Sequence, residues 1–209
     1  MKTKSKALLL AVCAVLLVTA SVLGTMAYLT SQDEVVNTFT VGAVSIKLDE
    51  AKVDQNGVAV KDAPRVDANS YKLIPGQSYT KDPTVTVEKG SEKAYVKMTV
   101  TVNKTDKLDA IDFDLMENVE GYNSANWIAK GYTEDEDNNT RTYEFWYKEA
   151  VTATSADVKL PALFQKITLP GTITNGELES FKGMTITVQA HAIQAAGFSD
   201  ATAAWAAYN

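Results

Sequence analysis

Between residues 94 and 102 the chain alternates without a break. Ala94, Val96, Met98, Val100 and Val102 point one way, and Tyr95, Lys97, Thr99 and Thr101 point the other. This period of two fits a strand with one face in a core and one in water; a helix would scatter the same residues around its circumference. Such a strand needs antiparallel neighbours, so it commits the chain around it to a sheet. The pattern returns near the end, where Met184, Ile186, Val188, Ala190 and Ala192 alternate with Thr185, Thr187, Gln189 and His191.

Shorter runs predict further strands over 70–74, 84–88, 127–132, 142–148 and 165–169. Phe39 and Val41 share one parity and Val44, Ile46 and Leu48 the other, which predicts a bend at Gly42 and Ala43. Asn56-Gly57 signals a tight hairpin between Val53 and Val58, Pro75-Gly76 a turn, and residues 134–139 a polar hairpin tip. Helical pieces are expected only at 105–111 and at 200–208, the second capped by Ser199. Residues 103–125 have the least clear periodicity and read as a long connection. Short spaced strands with one or two short helices predict an all-β fold, a two-sheet antiparallel sandwich of jelly-roll-like form.

The first residues read differently. Lys2, Lys4 and Lys6 precede an apolar run over 7–23 broken only by Thr19 and Ser21. As a helix that run spans about 26 Å at ~1.5 Å per residue, short of a ~30 Å hydrocarbon core. Thr25-Met26-Ala27 then sets small residues before a cut, and polar sequence follows Tyr28. The expectation is a cleaved secretory signal over 1–27, with cleavage between Ala27 and Tyr28, and a β-sandwich domain over 28–209. An uncleaved membrane anchor is the alternative. Removing the leader removes Cys13, the one cysteine of the chain, and leaves a body with no thiol to oxidise outside the cell. Export is expected, with the body soluble or associated with the cell surface.

Composition closes several function classes. The chain carries 20 Lys plus Arg against 26 Asp plus Glu and a formal charge of -6, and its body has no basic cluster, so no nucleic-acid partner is expected. One Cys and one His, His191, are too few for an ordinary zinc site, which takes three or four such ligands. A Ser-His-Asp site also needs His191, and no Gly-X-Ser-X-Gly elbow accompanies it.

The leader with Gly24-Thr25-Met26-Ala27, the following Tyr28-Leu29-Thr30, and Asn37-Thr38-Phe39-Thr40-Val41-Gly42 together resemble the TasA/camelysin family of Gram-positive bacteria. The likeness continues at Leu73-Ile74-Pro75-Gly76-Gln77 with Thr80-Lys81-Asp82, and in residues 184–194, but not over 103–161. The resemblance implies a structural subunit of the extracellular biofilm matrix, processed by a SipW-type signal peptidase. It also implies that the freed N-terminal segment adds as a strand to the next subunit. Tyr28, Leu29, Val35, Val36, Phe39 and Val41 are the side chains available for such a donor strand, and residues 28–41 hold no Gly or Pro. The partners so implied are the peptidase, further copies of the chain, and other matrix proteins or polysaccharide. An ordinary first strand folded into its own sheet is the competing reading of this segment.

Camelysin is described as a metalloprotease, but a helical His-Glu-X-X-His pair is absent here. No catalytic, cofactor-binding or metal residue is therefore assigned, no cofactor is expected, and the chain is read as a non-enzyme. Asp109, Asp112 and Asp114, or the acids over 134–137, are candidates for a hard cation such as calcium, against solvated loops as the plainer reading. The alternative function is a cell-surface module that binds glycan or protein ligands, and Trp127, Tyr132, Tyr143, Trp146 and Tyr147 are candidates for its sugar-binding face, against core packing and cross-strand pairing.

Overall fold

The computed structural model describes residues 43–208. In chain order these form β1 (Ile46–Asp49), β2 (Ser78–Thr80), β3 (Thr84–Val87), β4 (Ser91–Asn103), α1 (Thr105–Asp109), α2 (Leu115–Asn118), β5 (Val119–Glu120) and β6 (Trp127–Asp135). There follow β7 (Thr140–Tyr147), β8 (Val151–Ala153), β9 (Val158–Lys159), β10 (Lys166–Thr168), α3 (Asn175–Ser180), β11 (Ile186–Gln194) and α4 (Ala201–Ala206). Cys13, the cleavage pair Ala27 and Tyr28, the donor residues Tyr28, Leu29, Val35, Val36, Phe39 and Val41, and the bend at Gly42 lie outside the described residues.

The fold is an all-β sandwich. The larger sheet runs β11-β4-β7-β6, with β8 paired to the start of β4 across a register shift between Ser91 and Ala94. Two three-stranded sheets, β1-β3-β9 and β2-β10-β5, supply the opposite layer. β4 is the spine: over 13 residues its burial alternates, with Ala94, Val96, Met98, Val100 and Val102 almost fully buried. β7 continues the same face with Tyr143 and Phe145, which pair across from Val100 and Met98. These residues join Val85 and Val87 of β3, Tyr79 of β2 and Ile167 of β10 in one core. Full burial of each large side chain contributes about 1.5–3 kcal/mol, and this core sets the register of every strand that touches it.

The connection after β4 is more structured than its sequence pattern suggests. Leu108, Phe113 and Leu115 drop into the core from α1, α2 and the turn between them. α2 is capped by Asp114, whose carboxylate accepts from the Met116 N–H at 2.8 Å. Neither α2 nor α3 carries a recognisable amphipathic period, because each is shorter than two turns. α3 nonetheless starts on a capping box between Thr174 and Glu177.

Two local expectations are corrected. The cap of α4 is Asp200, accepting from Ala203 N–H at 2.9 Å, and not Ser199. The two capping residues are adjacent, and the helix starts one residue later than expected. Residues 70–74 form no strand. They run as an extended strap whose Lys72 N–H reaches Gln55 O at 3.0 Å and whose Ile74 N–H reaches the Tyr79 hydroxyl at 2.6 Å. The Asn56-Gly57 turn forms as expected, with Val53 bridged to Ala59. Gly57 there has φ +76°, and an added Cβ would stand 2.4 Å from the Tyr79 ring, so no other residue fits.

Candidate functional site

The side chains singled out for chemistry are dispersed by the fold. Trp127 is buried, donates from Nε1 to Pro161 O at 3.0 Å and meets Tyr147 edge-on at 5.1 Å. Tyr143 is buried on the same inner side, its hydroxyl donating to Asp114 at 3.2 Å. Trp146, one residue out of phase, faces outward beneath Lys130 Nζ, 4.2 Å from its ring. Tyr132 lies exposed at the β6 edge with the Arg141 guanidinium 5.0 Å away. Strand alternation thus divides these aromatics between two faces of the sheet, and they make no single sugar platform.

The acidic candidates are divided in the same way. Asp109 and Glu134 both pair with Arg141, at 2.9 and 2.7 Å, tying α1 to the β6–β7 hairpin. Burial opposes the charge on Arg141, but hydrogen bonds with Tyr143, Glu134 and Asp109 outweigh it and raise the guanidinium pKa. Asp114 caps α2, Asp135 accepts from Asn138 in the hairpin turn, and Asp112 is exposed. Among the described residues no group of three or more His, Cys, Asp or Glu is arranged to hold a metal ion.

His191 sits on the outer face, opposite Lys97 of β4, and shares a hydrogen bond of 3.1 Å with the Tyr208 hydroxyl. Lys97 pairs with Glu144 at 3.0 Å and lies 4.8 and 5.3 Å from the Trp205 and Tyr208 rings, so the end of the chain is pinned over this corner. Burial, then the Lys97 charge, lowers the imidazole pKa below its ordinary 6.5, with the Glu144 charge opposing. Protonation therefore favours the unfolded chain, and stability falls as pH drops from about 6.5 through the lowered value. Thermal melts between about pH 8 and 5 should show this decline, and His191→Gln should flatten the part of it that begins near 6.5.

β11 itself forms one edge of the larger sheet. Ala195 N–H donates to Lys93 O at 2.7 Å and Asn103 N–H to Thr185 O, so odd-numbered residues of this strand turn their main chain toward β4. Alternation then directs the N–H and C=O of Ile186, Val188, Ala190, Ala192 and Gln194 away from the sheet. Among the described residues no strand pairs with that edge.

The two edges of the sheet differ in chemistry. β6 carries Lys130, Glu134 and Asp135 and is kinked at Gly131, φ +96°, where the register with β7 shifts. Charges and a bulge are the usual protection against unwanted pairing. β11, Ile-Thr-Val-Gln-Ala-His-Ala-Ile-Gln, has no Asp, Glu, Lys, Arg, Gly or Pro in nine residues. It is a long, uncharged and unbulged edge, the kind that accepts another strand.

Beside its first half opens a groove of about 710 Å³, with Tyr79, Phe113, Ile167, Leu169 and Phe181 as its apolar floor. The end of β1 and the strap at 67–73 form one wall, and Met184 to Val188 the other. Three of the charged groups at the rim, Asp49, Glu50 and Lys81, are matched within the molecule, while Asp67 and Lys182 are in no ion pair among the described residues. Lys81 meets Glu50 at 2.9 Å, both nearly buried, and Arg65 bridges Asp49 and Asp82. Burial raises the pKa of Asp49, but hydrogen bonds from Arg65 and Lys47 overcome it and hold the carboxyl below its ordinary value. Burial, then the Glu50 charge, raises the Tyr71 phenol, which stays a neutral donor to Thr80 O at 3.2 Å. The groove thus has an apolar floor, with its buried ion pair already matched.

The one signal for this site in the sequence is the uncharged composition of 186–194; the groove itself comes from residues far apart in the chain. No protein-family model, characterised protein or solved structure matches the chain.

Proposed function

We propose that this protein is a secreted, non-enzymatic structural component of a Gram-positive extracellular biofilm matrix, and that it assembles by strand addition between copies. A SipW-type signal peptidase cuts between Ala27 and Tyr28, and residues 28–41 of one copy then lie along β11 of the next. The observation that carries this reading is the uncharged, unbulged β11 edge, which no described strand pairs with although β1 comes near it, beside an apolar groove and on a sheet whose other edge is charged and bulged.

The donor suits that acceptor in length and pattern. Its 14 residues reach about 46 Å when extended, ample for the nine residues of β11 at ~3.3 Å each. Val35, Phe39 and Val41 share one parity and supply apolar contacts in the second half of the segment, with Leu29 on the same parity beyond Ser31 and Asp33, while Tyr28 and Val36 lie on the other. Main-chain bonds along the edge supply affinity, and the apolar parity fixes register.

Cleavage serves as the switch: while the leader precedes Tyr28, the donor has no free end to thread into a neighbour. The chain beginning at Tyr28 should form filaments visible by negative-stain microscopy. The same chain with a folded tag fused ahead of Tyr28 should stay monomeric in analytical ultracentrifugation. Equal assembly of both, or persistent monomer of the first across concentration, defeats the reading.

A further inference from the structure

The end of the chain crosses the outer face of the larger sheet. There His191, Lys97, Trp146 and Ile128 stand in one row across β11, β4, β7 and β6, each directly opposite the next. α4 lies over this row through two rings three residues apart, a spacing that places both on one side of a helix. Trp205 meets Trp146 with centroids 6.3 Å apart, Tyr208 meets His191 edge-on at 5.6 Å, and the Lys97 ammonium lies against both rings of the helix. Residues 201–208 contain no charged side chain, so apolar and ring contacts with the Tyr208–His191 hydrogen bond hold the helix down, and no ion pair does.

Three features make this contact easy to open. α4 has six residues, too few to persist as a helix once it leaves the sheet. The Trp205 indole N–H is buried and, among the described residues, has no hydrogen-bond partner, so docking strips that donor of water and gives it nothing in return. The connector turns at Gly197, φ +94°, where even an added Cβ would meet nothing within 4 Å, and so has the open backbone geometry of a hinge.

We propose that α4 is an acid-opened latch: protonation of His191 undocks the end of the chain from the outer face while the sheet stays folded. The neutral imidazole shares a hydrogen bond at Nδ1 with the Tyr208 hydroxyl, and Tyr208 is part of what covers it. A proton adds a cation directly opposite Lys97, and like charges in that position repel. The charged groups that face His191 are Lys97 of β4 and, beyond it, Glu144 of β7; α4 brings the Tyr208 phenol and no charge. Glu144 is already engaged by Lys97 at 3.0 Å and by the Trp146 indole N–H at 2.6 Å, which leaves the imidazolium without a counter-ion of its own. Undocking returns the ring to water, so the proton binds the open state more tightly and acid shifts the equilibrium toward it. Docking is thus strongest above the ordinary histidine value of 6.5 and weakens as pH falls below it.

Hydrogen–deuterium exchange of the full chain at residue resolution tests it, with rates corrected for the intrinsic pH dependence of exchange. The Ala204, Ala207 and Tyr208 amides bond within α4 and its cap, so they report docking, while Val100, buried on β4 in the ladder with β7, reports opening of the sheet. At about pH 8 the three helix amides should exchange at least ~10-fold faster than Val100, and their protection should fall at least ~3-fold further by about pH 5. His191→Gln keeps a hydrogen-bonding group and cannot take the charge, so in that variant the protection of α4 should not change with pH. Helix amides as protected as Val100 would mean that α4 leaves only when the sheet unfolds. A fall with pH that is absent, or that persists in His191→Gln, removes the proton trigger, and any of these results overturns the latch.

Discussion

Replacing Ala190 with proline is expected to stop filament formation while leaving the body folded. The Ala190 N–H points away from β4, so proline there removes no bond of the β11–β4 ladder, and an edge strand tolerates it in that phase. What proline removes is the donor that an added strand would use, and its ring intrudes on the path of that strand. One lost bond of about 1 kcal/mol and the steric clash together should raise the concentration needed for assembly by at least ~10-fold. The neighbouring substitution, Gln189→Pro, is the control in the opposite phase. Gln189 pairs with Thr99 through groups that face β4, so proline there strands a carbonyl inside the sheet at a cost of about 1–3 kcal/mol. Denaturant melts and sedimentation of the two variants should therefore cross: Ala190→Pro stable and monomeric, Gln189→Pro destabilised. Filaments from Ala190→Pro at the wild-type concentration would show that β11 is not the acceptor.

Much of the sheet is legible in the sequence alone, and the reason is burial on one face only. β4 and β7 alternate because Val100 and Tyr143 face the core while Thr99 and Thr142 face outward, and no helical period imitates that. β11 is legible for the same reason, although its inward residues are only partly covered, since composition records what a face is meant to meet. The strap at 70–74 shows the converse. Its alternation is present in Tyr71 and Leu73, but a strand needs partners as well as a pattern, and the described fold supplies one flank alone. The aromatic candidates part company for another reason: Trp127 and Trp146 stand on neighbouring strands, yet the parity of those strands sends one ring into the core and the other outward. The acids at 109–114 and 134–137 read as a cation loop because sequence does not reveal Arg141, which lies between them in the fold. The groove is the least legible feature of all, being assembled from β1, the strap, α3 and β11.

Truncating the ammonium at the groove wall should produce the largest single loss of stability. Lys81 and Glu50 are both nearly buried, their side chains 8% and 9% exposed, and they meet at 2.9 Å. The main chain around them is fixed as well: Lys81 N–H bonds Gln165 O, and Glu50 exchanges two bonds with Val66. Neither side chain is thus free to swing into water when its partner is removed. Lys81→Met keeps the volume of the stem and deletes the charge, leaving the Glu50 carboxylate enclosed beside the phenol of Tyr71. Breaking a buried pair from one side typically costs about 3–5 kcal/mol, a large part of the roughly 5–15 kcal/mol expected of a domain this size. Lys81→Met with Glu50→Leu removes both charges and should recover most of that loss, since an apolar pair of similar volume is close to neutral in such a place. Urea denaturation of the two singles and the double closes the cycle. A double variant as weak as Lys81→Met would mean that the stem packing at the groove, and not the ion pair, supports this wall. If the pair does hold the wall, the double variant should also keep its filaments, because an added strand bonds main-chain groups of β11 that neither substitution touches.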